Sequence, residues 1–404
     1  MQNNIYKPKQ EMYISGDEKG NSGPSGGKSN FKNGLIFVIV VIVIIGLVWF
    51  VSNKSKDDRQ GELIEIENNG SAPSQEILNE GEVSPITGLA CENWNRRPMA
   101  VMQPSDAPAR PAAGFSDADM VIEMPVITAS ITRLMGIYIC GNPEDVGSMR
   151  SSRHDFLHLA KGLDAIYVHW GGSSYAKEKL NEGVIDNINC NDDGGKSGSQ
   201  CCFRKEGMSR GVDSGYAKFD KLLECSEDFG YRMEGEFGGY AHQADAPESD
   251  RPLGGNLRVG FAGVSGVNYE YDKKTNSYLR FWGGEEDFDR NNDKRHAPKN
   301  VVVMMALSEQ IAKGEQYNNI QIGDPWYDKT DSGEAYYYIN GQQIKGTWKK
   351  SKTRIDSKLV FSDQNGSDIE FVPGQIWVEV LEPGQGLKWR PIEAETEIED
   401  GIEE

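Results

Sequence analysis

Arg150 and Arg153 flank two serines in MRSSRHDF, a turn that opens a helix-like run, so guanidinium forks and backbone N–H groups meet near a helix N-terminus. Such an arrangement captures an anion, either a carboxylate or a phosphate; capping and salt bridges to nearby Asp145 and Asp155 are the structural alternative. His169, after the strand-like LDAIYV, could serve as general base for Ser151 or for a substrate hydroxyl, although spacing identifies no third member of a triad. Glu123 in MVIEMP and Arg133 in SITRLMG lie in adjacent apolar runs, which suits a buried ion pair, and such pairs are more often structural than catalytic. With Arg204 added, the candidate ligand-binding set is Glu123, Arg133, Arg150, Ser151, Arg153, His169 and Arg204, and the candidate acid/base residues are His169 and Glu123. Asp119 and Glu123 fit neither glycosidase geometry, because four residues along a strand span about 13 Å.

Other motifs imitate known chemistry and miss a required part. His154-Asp-Phe-Leu-His158 resembles a zinc helix of the H-E-x-x-H type, but Asp replaces the glutamate base and reaches less far toward a metal-bound water. The run from Asp289 to Asp293 begins like a calcium loop, yet Lys294 stands where glycine is needed and Asn300 where glutamate is needed, so it reads as a surface turn. GPSGGKSN looks like a phosphate-binding loop, but Ser22 occupies the first glycine position and no strand precedes it. No metal and no cofactor is therefore expected.

The candidate residues need a scaffold. Strand-like runs RPMAVMQ, DMVIEMPV, ITRLMGIYI and LDAIYVHW alternate with helix-like DFLHLAKG, SYAKEKLNEG and YAKFDKLLECSEDF, which points to a mixed domain at 84–250. After the Pro- and Gly-bearing stretch at 246–256, strands dominate, and Asn340-Gly341 between two of them is a hairpin signal. The expected fold class is thus α+β: a larger mixed α/β domain, then a smaller antiparallel β-rich domain at 257–384, preceded by one transmembrane helix. If the β-rich part were the contact surface, Tyr336, Tyr337 and Tyr338 would be its exposed aromatics.

That membrane helix is expected at 34–51, GLIFVIVVIVIIGLVWFV, an uncharged run without a polar face that nearly matches the hydrocarbon thickness. It separates a polar, lysine-bearing head at 1–33, expected in the cytoplasm, from a flexible linker at 52–83 and the folded mass outside; no small-x-small cleavage pattern follows. An acidic tail occupies 385–404, with seven acids and no base from Glu393 onward. The formal charge of -19, from 62 acidic and 43 basic residues, argues against nucleic-acid binding. All six cysteines follow the apolar run, and Cys190 is expected to pair with Cys201 or Cys202 around a glycine-rich loop.

Taken in order, these pieces resemble the YerB-like family of bacterial cell-envelope proteins, a domain of unknown function usually found as lipoproteins. The resemblance runs over about 84–384 and is carried by SPITGL, RPMAVM, ARPAAGFSDADMVIEMPVITASITRLMGIY, EDVGSMRSSR, LDAIYVHWGGS, YEYDKKTNSYLRFWGG, PKNVVVMM, INGQQIKGTWKK and FVPGQIWVEV. It implies a two-part plan and an extracytoplasmic location, and no activity. Two departures stand out: SRGVDSGY at 209–216 replaces a family pattern of Arg followed by Pro-His-Asn, and the expected anchor is a helix instead of a lipid. The functional expectation is a membrane-anchored binding or scaffold protein engaging a cell-envelope polymer or envelope protein, with an envelope hydrolase or transferase acting on glycan or peptide as the alternative.

Overall fold

The computed structural model describes residues 82–127, 131–208, 211–261 and 266–392. The expected membrane helix at 34–51, the head and most of the linker lie outside these residues, as does the tail from Glu393. No helix among the described residues is long and apolar enough to cross a membrane.

In chain order the first half supplies β1 (Met99–Pro104), β2 (Met120–Ile127), β3 (Ile131–Tyr138), β4 (Asp145–Gly147), β5 (Ile166–His169), β6 (Asn187–Asn189), β7 (Phe203–Arg204), β8 (Gly215–Lys218) and β9 (Ala241–His242). Among them sit α1 (His154–Gly162), α2 (Ser174–Asn181) and α3 (Phe219–Asp228). The second half supplies β10 (Gly254–Val259), β11 (Val267–Asp272), β12 (Ser277–Trp282), β13 (Glu285–Glu286), β14 (Asn300–Met305), β15 (Ser308–Gln310) and β16 (Asn318–Ile320). It continues with β17 (Ser332–Ile339), β18 (Gln342–Lys349), β19 (Val360–Asp363), β20 (Glu370–Phe371), β21 (Ile376–Leu381) and β22 (Lys388–Ile392).

These strands correct the expected fold class. A ten-stranded sheet runs in the order β19-β18-β17-β14-β21-β2-β3-β1-β5-β6, so strands of both halves share one sheet. β21 lies between β14 and β2 and pairs in parallel with both, Val378 opposite Val302 on one side and Ile122 on the other. The protein is β-rich, with three α-helices among the described residues, and is not an α/β domain followed by a separate β domain. The reason is visible in composition: VIEMPV, NVVVMM and IWVEVL are apolar on both alternating faces, as strands covered on both sides must be.

One face of this sheet packs Ile122, Met124, Met135 and Val378 against Phe156, Leu157 and Ala160 of α1 and Leu180 of α2. The opposite face packs Val101, Val121, Leu134 and Trp377 against Phe219 and Leu222 of α3 and against Leu257, Tyr269 and Tyr278 of a second sheet, β13-β12-β11-β10-β22. Tyr337 and Tyr338 belong to these cores and only Tyr336 of that run is half-buried, so the tyrosines do not form the exposed contact patch expected of them.

All six cysteines are bonded, as Cys91–Cys140, Cys190–Cys202 and Cys201–Cys225. Of the two pairings expected for Cys190, the one with Cys202 forms, and Cys201 instead ties the loop to α3.

Candidate functional site

β1 and β5 run parallel, and the segment 148–153 threads across their carboxyl ends: Arg150 N donates to Met102 O at 2.8 Å, Trp170 N to Arg150 O at 3.0 Å and Ser152 N to Gly171 O at 2.8 Å. Arg133 sits opposite Pro104 at the end of β1. The carboxyl edge of a parallel strand pair is where mixed sheets leave a crevice for ligands. Here it places Arg133, Arg150 and Arg153 near enough to act on one another, with Arg153 against the Ser151 carbonyl and with Arg204 at the rim, 4.0 Å from the Trp170 ring centroid, whereas the polar neighbours of His169 are Gly171, Asn187 and Asp193.

The three inner arginines are not equivalent. Arg150 is met by two carboxylates, Asp106 at 2.7 Å and Asp213 at 2.5 Å, and it also donates to Val212 O at 2.7 Å. Arg153 donates to Ser152 O at 2.8 Å and lies 4.8 Å over the Tyr317 ring. Arg133 donates to the carbonyl of Thr132 at 3.2 Å. Arg133 and Arg153 are 8% and 7% exposed, their Nε atoms have no hydrogen-bond partner, and neither forms an ion pair among the described residues. Burial, and then the positive charge of Arg153, pushes the Arg133 guanidinium down to about 9, with Asp106 acting in the opposite direction. Burial lowers Arg153 as well. Beside them the hydroxyls of Ser152 and Tyr167 are buried without a hydrogen bond of normal geometry.

His169 is fully buried, stacked 5.3 Å from the Tyr167 ring, with Nδ1 2.7 Å from Gly171 O. Burial drives it down to about 4, so the ring is neutral and Nδ1–H donates to that carbonyl.

Glu123 is not part of this group. Glu123 pairs with Leu134 and Arg133 with Met124 across β2 and β3, which puts the two side chains on opposite faces of the sheet and rules out the expected ion pair. Glu123 instead meets the fully buried Arg280 at 2.6 Å, and Thr132 donates to its other oxygen at 2.5 Å. Arg280 also grips Asp287, which Arg110 holds at 3.0 Å, and lies 3.9 Å from Glu379, itself hydrogen-bonded by Tyr269. Burial, then the neighbouring Glu123 charge, lifts Glu379 to about 8; burial alone would also raise Asp287, but Arg110 and Arg280 bring it to about 2. Local sequence gave no hint of this cluster beyond one: in YLRFW, period two sets Arg280 between Tyr278 and Trp282 on the inner face, a charge at a core position. His169 shares the α1 face with Tyr167, so the structure separates the proposed acid/base pair, Glu123 and His169, by the thickness of the sheet.

The zinc-like histidines are occupied otherwise. His154 contacts Asp155 at 3.1 Å and Asn319 at 2.9 Å, and although burial opposes its charge these partners raise it to about 9; His158 Nε2 faces Ile322 O at 3.3 Å. The run from Asp289 to Lys294 is the surface turn expected of it, with residues 292–294 exposed, and the buried Asp289 anchors it by accepting from the backbone N–H groups of Gly114, Ser116 and Asn291. Among the described residues no cluster of His, Cys, Asp and Glu could hold a metal ion.

Two family models match the chain: the N-terminal domain of the protein of unknown function DUF3048 over residues 86–232 and its C-terminal domain over 257–378. The chain is 31% identical over 302 residues to the Bacillus subtilis (strain 168) protein named "Putative lipoprotein YerB", a match that takes in 74% of this chain and 86% of that one. The crystal structure of YerB from Bacillus subtilis superposes with a TM-score of 0.65 at 28% identity, covering 76% of this chain and 99% of the other. Both domain matches, the relative and the shared fold agree: the chain belongs to the YerB-like DUF3048 family, whose domains are of unknown function.

Proposed function

We propose that this is a membrane-associated, extracytoplasmic protein of the bacterial cell envelope that holds an anionic group of an envelope polymer between Arg133 and Arg153. The location draws on the lipoprotein name of its relative and on three disulfides, which persist in oxidising compartments. The uncharged apolar run at 34–51 supports membrane association.

The binding role rests on one observation: among the described residues neither buried guanidinium has a carboxylate within ion-pair distance, while Arg150 between them in sequence has two. An unpaired buried charge costs several kcal/mol after relaxation, on the order of 3–5 when a partner is removed, and an anionic ligand offsets that cost. Arg150 then acts as a fixed post that orders the 211–214 turn, while Arg133 and Arg153 meet the ligand.

Retention of the purified protein on isolated cell wall tests this. Arg133→Gln and Arg153→Gln should each lower retention about tenfold, the equivalent of about 1.4 kcal/mol. Retention equal to the parent in both variants would remove the site.

A further inference from the structure

We propose that the outer face of the five-stranded sheet is a docking surface for the chain's own acidic segment, residues 393–404.

Side-chain alternation sets what that face carries. In β10 Leu257 and Val259 are buried while Asn256 and Arg258 are exposed; in β11 Tyr269 and Tyr271 are buried while Glu270 is exposed; in β22 Lys388 and Arg390 are exposed. Strand pairing sets which of them are neighbours. Arg258 lies directly opposite Lys388, and Asn256 opposite Arg390, so three cations share one patch on the floor of a groove of about 400 Å³. Glu270 is opposite Asn256 on the side away from β22 and is the one carboxylate lining the groove, so three cations against one anion leave the patch at +2.

Like charges directly opposite each other across a strand pair are destabilising. Charged side chains commonly guard an edge strand, and β22 is one, but Arg258 belongs to β10, which has a partner on both sides. Edge protection therefore leaves Arg258 unexplained, whereas an anion laid over the face relieves the repulsion among all three cations.

Charge, reach and tethering point to the occupant. From Glu393 to Glu404 there are seven acids and no base. Glu393, Glu395, Glu397 and Glu399 alternate with Ala394, Thr396 and Ile398, so an extended course would set four carboxylates on one side about 7 Å apart, the same spacing as Lys388 and Arg390. Residues 393–404 lie outside the described residues and follow directly on Ile392, the last residue of β22, opposite Gly254. A reversal there and a return of about 14 Å would bring acids over Arg390, Lys388 and Arg258, and twelve residues span up to about 40 Å. A segment joined to the face competes for it at an effective concentration in the millimolar range, which a second copy in dilute solution does not match. Because the partners are exposed, the contact is reversible and salt-sensitive, and it screens the basic face from other polyanions.

Zero-length cross-linking of the full-length protein tests this. Arg258→Lys keeps the charge and supplies an amine on β10, far in sequence from the acidic segment. Carbodiimide at low salt should join position 258 to an acid of 393–404 within one molecule, identified by mass spectrometry. Raising NaCl to about 0.5 M, where the Debye length is about 4 Å, should cut the yield several-fold. Adding Arg390→Ser should lower it too, with an unchanged melt. Polyphosphate serves as a second probe: Glu395→Gln, Glu397→Gln and Glu399→Gln together should tighten its binding about tenfold at low salt, and Arg258→Ser added to them should remove the gain. A cross-link from position 258 to Glu270 alone, or an unchanged polyphosphate affinity, would overturn the docking. Cross-links found only between two molecules would assign the acidic segment of another copy and overturn the contact within one chain.

Discussion

Arg280 is the residue on which the second buried cluster turns. It is fully buried among Glu123, Asp287, Glu379 and Trp377, its guanidinium 4.5 Å from the Trp377 ring. Arg280→Ala would leave buried carboxylates without a partner, and chemical denaturation should report a loss of about 3–5 kcal/mol. Replacing Arg280 and Glu123 together by apolar residues of similar volume should recover part of it. Glu379 sets a pH dependence. Its folded value of about 8 lies above the ordinary 4.5, so its contribution to stability is complete below pH 4.5 and is lost as pH rises toward 8. Glu379→Gln should therefore flatten the stability profile between those limits; a mutant profile that still falls as steeply would show that Glu379 is ionised in the fold. Asp287 has the opposite sign, and its contribution disappears only as pH falls toward 2. The sequence disclosed Arg133, Arg150 and Arg153 because they sit at the ends of readable apolar runs. It misassigned the partner of Glu123 because Arg280 lies 157 residues away and nothing local encodes that contact.

At the scale of elements most of the chain was legible. The runs DFLHLAKG, SYAKEKLNEG and YAKFDKLLECSEDF each hold one of the three α-helices of the described residues, although YAK of the last belongs to β8, and Asn340-Gly341 joins β17 to β18 as expected, with φ of 54° and 73°. A Cβ on Gly341 would stand 2.4 Å from Tyr271 Cε1 and 2.6 Å from Pro252 Cγ, so Gly341→Ala meets both a left-handed backbone and a collision. A drop of about 2 kcal/mol in unfolding free energy is expected for it, within the range for strained backbone positions. The Cys190–Cys202 bond closes a loop of sequence separation 12, and replacing both cysteines by serine should cost about 2–3 kcal/mol, seen as a lower denaturant midpoint. Strand pairing was not legible. Runs buried on both faces carry no alternation, so VIEMPV, NVVVMM and IWVEVL announce that they are central without saying which neighbours they take.

The whole molecule is organised by one seam, where β21 enters between β2 and β14. Pairings of this kind join residues far apart in the chain and form late, because a long loop must close before the contact repays it. A chain ended after Gln375 should be largely insoluble on expression, and supplying residues 376–392 as part of the same chain should restore it. The seam also sets an order of events during synthesis. The ribosome finishes β2 and its hairpin partner β3 long before it reaches Ile376, and in that interval the other edge of β2 presents bare N–H and C=O groups along an apolar strand. A nascent polypeptide in that condition invites pairing with other copies until the missing strand arrives.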